Sequence, residues 1–85
     1  MTHKIEINEP YADAIIDGRK TFEIRRNDRG YNAGDKVEFT VIDGCMRIPH
    51  YLNGKVYDIT YVHSGLGLEN GYVVFGIKPQ AESEE

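Results

Sequence analysis

Gly18-Arg19-Lys20-Thr21-Phe22-Glu23-Ile24-Arg25-Arg26-Asn27-Asp28-Arg29 is the stretch whose reading decides the fold. It holds five of the ten basic residues and a dense alternation of charged with bulky apolar side chains. A strand points successive side chains to opposite faces. Phe22 and Ile24 are therefore expected on one face, entering the core. Thr21, Glu23 and Arg25 share the other, facing a groove or solvent, with a carboxylate two residues from a guanidinium. The stretch locates a site without naming its ligand.

The flanking sequence supplies a small sheet around that strand. His3-Lys4-Ile5-Glu6-Ile7 alternates and predicts a short half-buried strand. Asn8 suits a helix N-cap and Pro10 a first turn, so a short amphipathic helix is expected from Glu9 to Asp17, with Tyr11, Ala14 and Ile15 at helical spacing. Gly18 is placed to end it, because glycine takes a left-handed conformation cheaply.

After turns at Asn27 to Gly30 and Ala33 to Asp35, the run Lys36 to Ile42 alternates, with Val37, Phe39 and Val41 inward. Pro49 argues against a central strand in Cys45 to Leu52, which is expected to be irregular or an edge. Asn53-Gly54 is a hairpin signal. Lys55 to His63 then predicts a strand with Tyr57, Ile59 and Tyr61 on one face. A glycine-rich loop, Ser64 to Gly71, leads into the last strand, Tyr72 to Ile77. The expected fold is mostly β with one or two short helices (α+β), as one domain over 1–80 with an acidic tail at 81–85. A small sheet must remove its edges from solvent, and closure into a barrel with the helix packed on it does so.

Composition bounds the function. Eighty-five residues bury only roughly 60–65% of the unfolded surface, enough for one small core. The 40% hydrophobic and 28% charged content is that of a globular domain. Cys45 is the single cysteine, which excludes an internal disulfide and fits a reducing cytoplasm. No apolar run approaches the ~20 residues of a membrane span, and Met1 to Glu6 lacks a signal peptide's apolar segment. The net charge is −4, but Glu82, Glu84 and Glu85 carry three of those charges in the tail. Arg19 to Arg29 sets five basic residues against Glu23 and Asp28, and local sign steers a polyanion more than the total does.

Gly18-x-Lys20-x-x-Glu23-x-Arg25 resembles the G-x-K-x-x-E-x-R signature of ASC-1 homology (ASCH) domains, relatives of the PUA RNA-binding fold. The longer run Lys20 to Arg29 resembles the hallmark of DUF3850, a bacterial and phage family. His3-Lys4-Ile5, Gly34-Asp35 and Gly67 to Val74 resemble it too, so the likeness spans His3 to about Lys78. It implies a PUA-like β-barrel whose ligand cleft lies beside the first helix and the motif strand, with RNA or a nucleotide-like ligand. Some small ASCH proteins are amidohydrolases on acetylated cytidine with a Lys-Thr-Glu catalytic set. Lys20 matches that lysine, but Glu23 stands at the threonine position and the catalytic glutamate has no clear counterpart. No catalytic residue is assigned unless Lys20 serves, and the chain is not expected to be an enzyme.

Two readings of Lys20, Glu23 and Arg25 stand side by side. One is a surface ion-pair row, stabilising by about 0–1 kcal/mol. The other is a ligand site, in which Arg25 engages a phosphate or base edge bidentately, Glu23 holds the guanidinium and Lys20 adds a point charge. Thr21 shares that face, and Arg26 and Arg29 flank it within reach of a backbone phosphate. Asn27 and Asp28 are expected to be structural.

Tyr57 and Tyr61 are expected to pack, leaving Tyr31, Tyr51 and Tyr72 freer to stack on bases. His3, His50 and His63 are scattered and complete no zinc set with one cysteine, so neither metal nor cofactor is expected. Gly65-Leu66-Gly67 has no Gly-Lys-Ser/Thr after it, so it is no P-loop, and is expected to rim the cleft instead. The expected partner is RNA or a nucleotide-like ligand on a cytoplasmic monomer. The alternatives are an amidohydrolase acting on a modified nucleoside, and a phage or mobile-element protein that binds a host protein through its tail and Leu66/Leu68.

Overall fold

The computed structural model describes residues 1–80. The acidic tail expected at 81–85 lies outside the described residues. The elements are β1 (Thr2–Asn8), α1 (Glu9–Ile16), β2 (Phe22–Arg26), β3 (Lys36–Asp43), β4 (Met46–Arg47), β5 (Val56–Ser64) and β6 (Tyr72–Pro79). Among the described residues the fold is mostly β with one short helix, a small α+β arrangement around a single six-stranded sheet. No helix among the described residues is long and apolar enough to cross a membrane.

β1 runs parallel to β3, with Ile5 beside Phe39 and Ile7 beside Val41. All four side chains are buried, as the period-two pattern of both segments requires. α1 packs on β1 and β3 through Ala12 and Ile15, while Tyr11 and Ile16 stay largely exposed. Asn8 precedes the helix without a side-chain cap bond. At the other end Gly18 takes φ +81°, and the amides of Gly18 and Arg19 donate to the carbonyls of Ile15 and Ala14 at 3.0 and 2.9 Å. This Schellman closure satisfies the last helical carbonyls and turns the chain straight into β2.

The sheet order is β1-β3-β5-β6-β2, with β4 paired to β3 off that path. It does not close into the expected barrel. β1 and β2 are the two ends of the order and share no backbone ladder. They approach each other nonetheless: Arg25 Nη2 on β2 donates to the Glu6 carbonyl on β1 at 2.7 Å. A side chain bridges the gap that a strand pair would have closed.

The phase of β2 is the reverse of the sequence expectation. Glu23 is buried, whereas Phe22 and Ile24 are 42% and 52% exposed. The cause is the pairing with β6, which sets Glu23 opposite Phe75 and Arg25 opposite Val73. Val73, Phe75 and Ile77 must face the core, so their partners on β2 face it too. Burying three apolar side chains of a longer strand outweighs burying two on an edge.

Three further expectations are corrected. Tyr61 points outward, 69% exposed, because β5 carries a bulge between Ile59 and Tyr61: Ile59 pairs with Ile77 but Tyr61 with Gly76. The extra residue, Thr60, reverses the alternation, and Val62 packs against the core instead. Asn53-Gly54 joins no hairpin. The Asn53 side chain instead accepts from the Val41 amide at 2.7 Å and donates to the Ile48 carbonyl at 2.8 Å, fastening the segment to β3. That segment contributes the short β4 and the fully buried Leu52. Tyr31 is not free to stack on a ligand. It is buried between His3 and Phe75, with ring centroids 4.7 Å from each.

Candidate functional site

The open seam between β1 and β2 is a cleft of about 510 Å³. Its walls are the end of β1 from Glu6 to Asn8, Tyr11 of α1, and Lys20 with Phe22 to Arg25 on β2. Both free strand edges face it, which is why side chains from both faces of β2 line it.

Glu23 is the centre. Its side chain is 5% exposed, and a buried carboxylate needs compensation from charge and hydrogen bonds. One oxygen accepts from Lys20 Nζ, the other from Arg25 Nε at 2.9 Å. Each cation also holds a backbone carbonyl: Lys20 that of Phe22 at 2.8 Å, Arg25 that of Glu6 at 2.7 Å. The Lys20 and Arg25 side chains are 17% and 24% exposed, and their aliphatic stems can cover the margin of the core while their charged ends reach the carboxylate. Two cations on one anion leave the group at +1. Arg25 is held through Nε and one Nη nitrogen, leaving Nη1 without a protein partner among the described residues. Lys20 Nζ lies 5.1 Å from the Phe22 ring centroid and 5.7 Å from that of Tyr11, so the cation sits between two aromatic faces.

The structure brings Lys20, Glu23 and Arg25 together and leaves Thr21, Arg26 and Arg29 outside the cleft wall. Thr21 is exposed and its carbonyl extends the β2–β6 ladder by accepting from the Ile77 amide at 2.9 Å. Arg26 points to the opposite face, stacked 5.1 Å from the Tyr72 ring centroid and 3.3 Å from its hydroxyl. Arg29 is exposed in the following turn and makes no ion pair with Asp28 among the described residues. Asn27 is structural, its side chain accepting from the Tyr31 amide at 3.2 Å. The Ser64 to Gly71 loop does not line the cleft.

Three contributors escaped the sequence reading, the first being Phe22, which was expected in the core and lines the cleft instead. The Glu6 carbonyl carried no signal, since it is a backbone group. Tyr11 was assigned to the helix's buried face by its spacing from Ile15, yet its ring is 55% exposed at the cleft. Behind the site, burial pushes the Tyr31 phenol above its usual range, partly offset by Arg25 and Arg29. Asp35 lies below the usual carboxylate range, chiefly through its hydrogen bond with His3 at 2.9 Å. The described residues hold no cluster of His, Cys, Asp and Glu suited to a metal ion.

These features define a small mostly-β domain with a cationic cleft in an unclosed sheet seam. Residues 2–77 match the family model described as Domain of unknown function (DUF3850), and the chain belongs to that family. Comparison with curated proteins finds no match.

Proposed function

We propose that the chain is a binding module for RNA or a nucleotide-like ligand, held in the cleft between β1, α1 and β2. One arrangement carries this reading. Lys20 and Arg25 are fixed on the Glu23 carboxylate, so a cationic group with one guanidinium nitrogen, Nη1, unpaired among the described residues is held beside the rings of Tyr11 and Phe22. A phosphate or carbonyl edge suits the guanidinium fork, and a planar base suits the aromatic rings. The G-x-K-x-x-E-x-R spacing supports kinship with ASCH-type, PUA-like domains, with the cleft at the place where the barrel stays open. On this reading the protein is a monomer of the bacterial or phage-infected cytoplasm, a setting that suits the exposed Cys45 thiol.

An amidohydrolase acting on a modified nucleoside would need an available amine at Lys20. Nζ donates instead to Glu23 and to the Phe22 carbonyl, so this alternative has less support. A host-protein partner would draw on Leu66, 90% exposed in the β5–β6 loop.

The test is fluorescence anisotropy with a labelled short RNA and with a nucleoside monophosphate as competitor. Arg25→Lys keeps the charge and loses the fork. It should weaken binding by roughly ten-fold or more, the scale of one charge-assisted hydrogen bond, while the protein stays folded. Equal affinity would remove Arg25 from the site. No binding by any nucleotide ligand, with acetate released from acetylated cytidine and lost in Lys20→Ala, would replace the reading with the hydrolase.

A further inference from the structure

The outer face of β2, β6 and β5 carries apolar and aromatic side chains that no element among the described residues covers. Across the strands, Phe22 stands opposite Gly76 and Gly76 opposite Tyr61; Ile24 stands opposite Val74 and Val74 opposite His63; Arg26 stands opposite Tyr72. Phe22 is 42%, Ile24 52% and Tyr61 69% exposed. Gly76 has no side chain, and the Thr60 hydroxyl fills the place its Cβ would take; the strands of Phe22 and Tyr61 are two spacings, or about 10 Å, apart.

The face carries two cations, Arg26 and Lys78, and one carboxylate, Asp58, which stands opposite Lys78 in the β5–β6 register. Arg26 lies against the Tyr72 ring, and Lys78 is exposed at the other end of β6, neither with a carboxylate partner among the described residues. The one carboxylate that β2, β5 and β6 place here, Asp58, is paired with Lys36 at 2.8 Å. A second copy docked face to face would set these cations against each other, so charge argues for an anionic occupant. Exposed rings interleaved with unpaired cations on a sheet face are what stacked bases and their phosphates require. The face is also continuous with the cleft, because Phe22 and Ile24 border both.

From this we infer that the outer face of β2, β6 and β5 is a stacking platform for single-stranded nucleic acid, with Tyr61, Phe22 and the Arg26–Tyr72 pair as base contacts and the cleft as the anchoring end. It rests on the reading that the cleft ligand is a nucleotide. A single nucleotide would occupy the cleft alone; a longer strand would cross the β2 edge onto the platform. Affinity should therefore rise with oligonucleotide length.

The experiment compares a nucleoside monophosphate with single-stranded RNA of increasing length, on wild type, Tyr61→Ala and Tyr61→Phe. Tyr61 lies outside the cleft and is mostly in solvent, so its substitution spares the fold. Tyr61→Ala should weaken binding of the longer RNA by roughly five-fold or more, the scale of one lost base stack, and leave the mononucleotide unchanged. Tyr61→Phe should restore the affinity, since the ring is what stacks. Wild-type affinity for long RNA in Tyr61→Ala would overturn the platform and leave the cleft standing. Long RNA that binds in a Tyr61-dependent way, with no mononucleotide binding, would overturn the cleft reading and the anchoring end, and support only the stacking role of the outer face. Dimerisation abolished by Tyr61→Ala, with no nucleic-acid binding, would overturn both.

Discussion

Arg25 Nη2 meets the Glu6 carbonyl at 2.7 Å, joining the two ends of a sheet that never pair through their backbones. The same guanidinium holds Glu23 at 2.9 Å. One side chain thus spans the seam and orders the cleft, which couples fold stability to the candidate site.

Glu23→Gln should show that coupling. It leaves the Lys20 and Arg25 charges uncompensated at the edge of the core. Breaking a buried pair in this way costs about 3–5 kcal/mol, and the lower end applies because both cations keep contact with water. Urea unfolding would measure it. A loss below about 1 kcal/mol would mean that the three residues behave as an exposed surface row.

Gly76→Ala tests the β5 bulge. A Cβ at Gly76 would lie 2.6 Å from Thr60 Oγ1, so something must shift. Overpacking of this kind typically costs about 1–3 kcal/mol. Combining Gly76→Ala with Thr60→Gly should recover much of that loss, a non-additivity that a double-mutant cycle reads directly. Purely additive losses would place the clash elsewhere.

The periodicities of β1, β3 and β6 were legible in the sequence because each strand has one face in the core. Ile5, Ile7, Val37, Phe39 and Val41 are buried as their alternation required. The helix, its glycine stop and the charged cluster on β2 were legible for the same local reasons. The phase of β2 was not: Phe22 and Ile24 outrank Glu23 in hydrophobicity, and only the pairing with β6 puts the acid inside. The K-x-x-E-x-R pattern held the missing hint, since a carboxylate bracketed by two cations is equipped for burial. The bulge at Thr60 and the Asn53 anchor depend on distant partners, which local pattern does not encode.

Acid should destabilise the fold through Asp35. Its carboxyl is lowered by the His3 hydrogen bond, with further help from the Asn32 amide and the N-terminal amine. In this range the unfolded chain binds the proton more readily, so stability rises with pH. The contribution is complete above the unfolded value of 3.8 and is lost as pH falls below it through the lower folded value. Asp35→Asn should flatten the stability profile across that window, as followed by circular dichroism. An unchanged slope would assign acid sensitivity to other groups.

Alkali should act with the opposite sign. Burial raises both Tyr31 and Tyr57 above 10.0. The unfolded chain then loses its phenolic protons first, so stability is full below pH 10 and falls as pH rises through the folded values. Phenolate absorbance should lag behind that of free tyrosine until unfolding begins. Ionisation of every tyrosine at its ordinary value in the folded state would contradict the packing of Tyr31 between His3 and Phe75.

The most direct test of the central claim is a two-dimensional amide NMR titration of the whole chain with a short RNA and with a nucleoside monophosphate, at low and high salt. The account predicts shifts centred on Glu6 to Tyr11 and Lys20 to Arg25 with either ligand, shrinking as salt is added because phosphate contacts release counterions. Shifts confined to other surfaces, or a spectrum unmoved by either ligand, would contradict it and leave Lys20, Glu23 and Arg25 as the clasp of an open sheet.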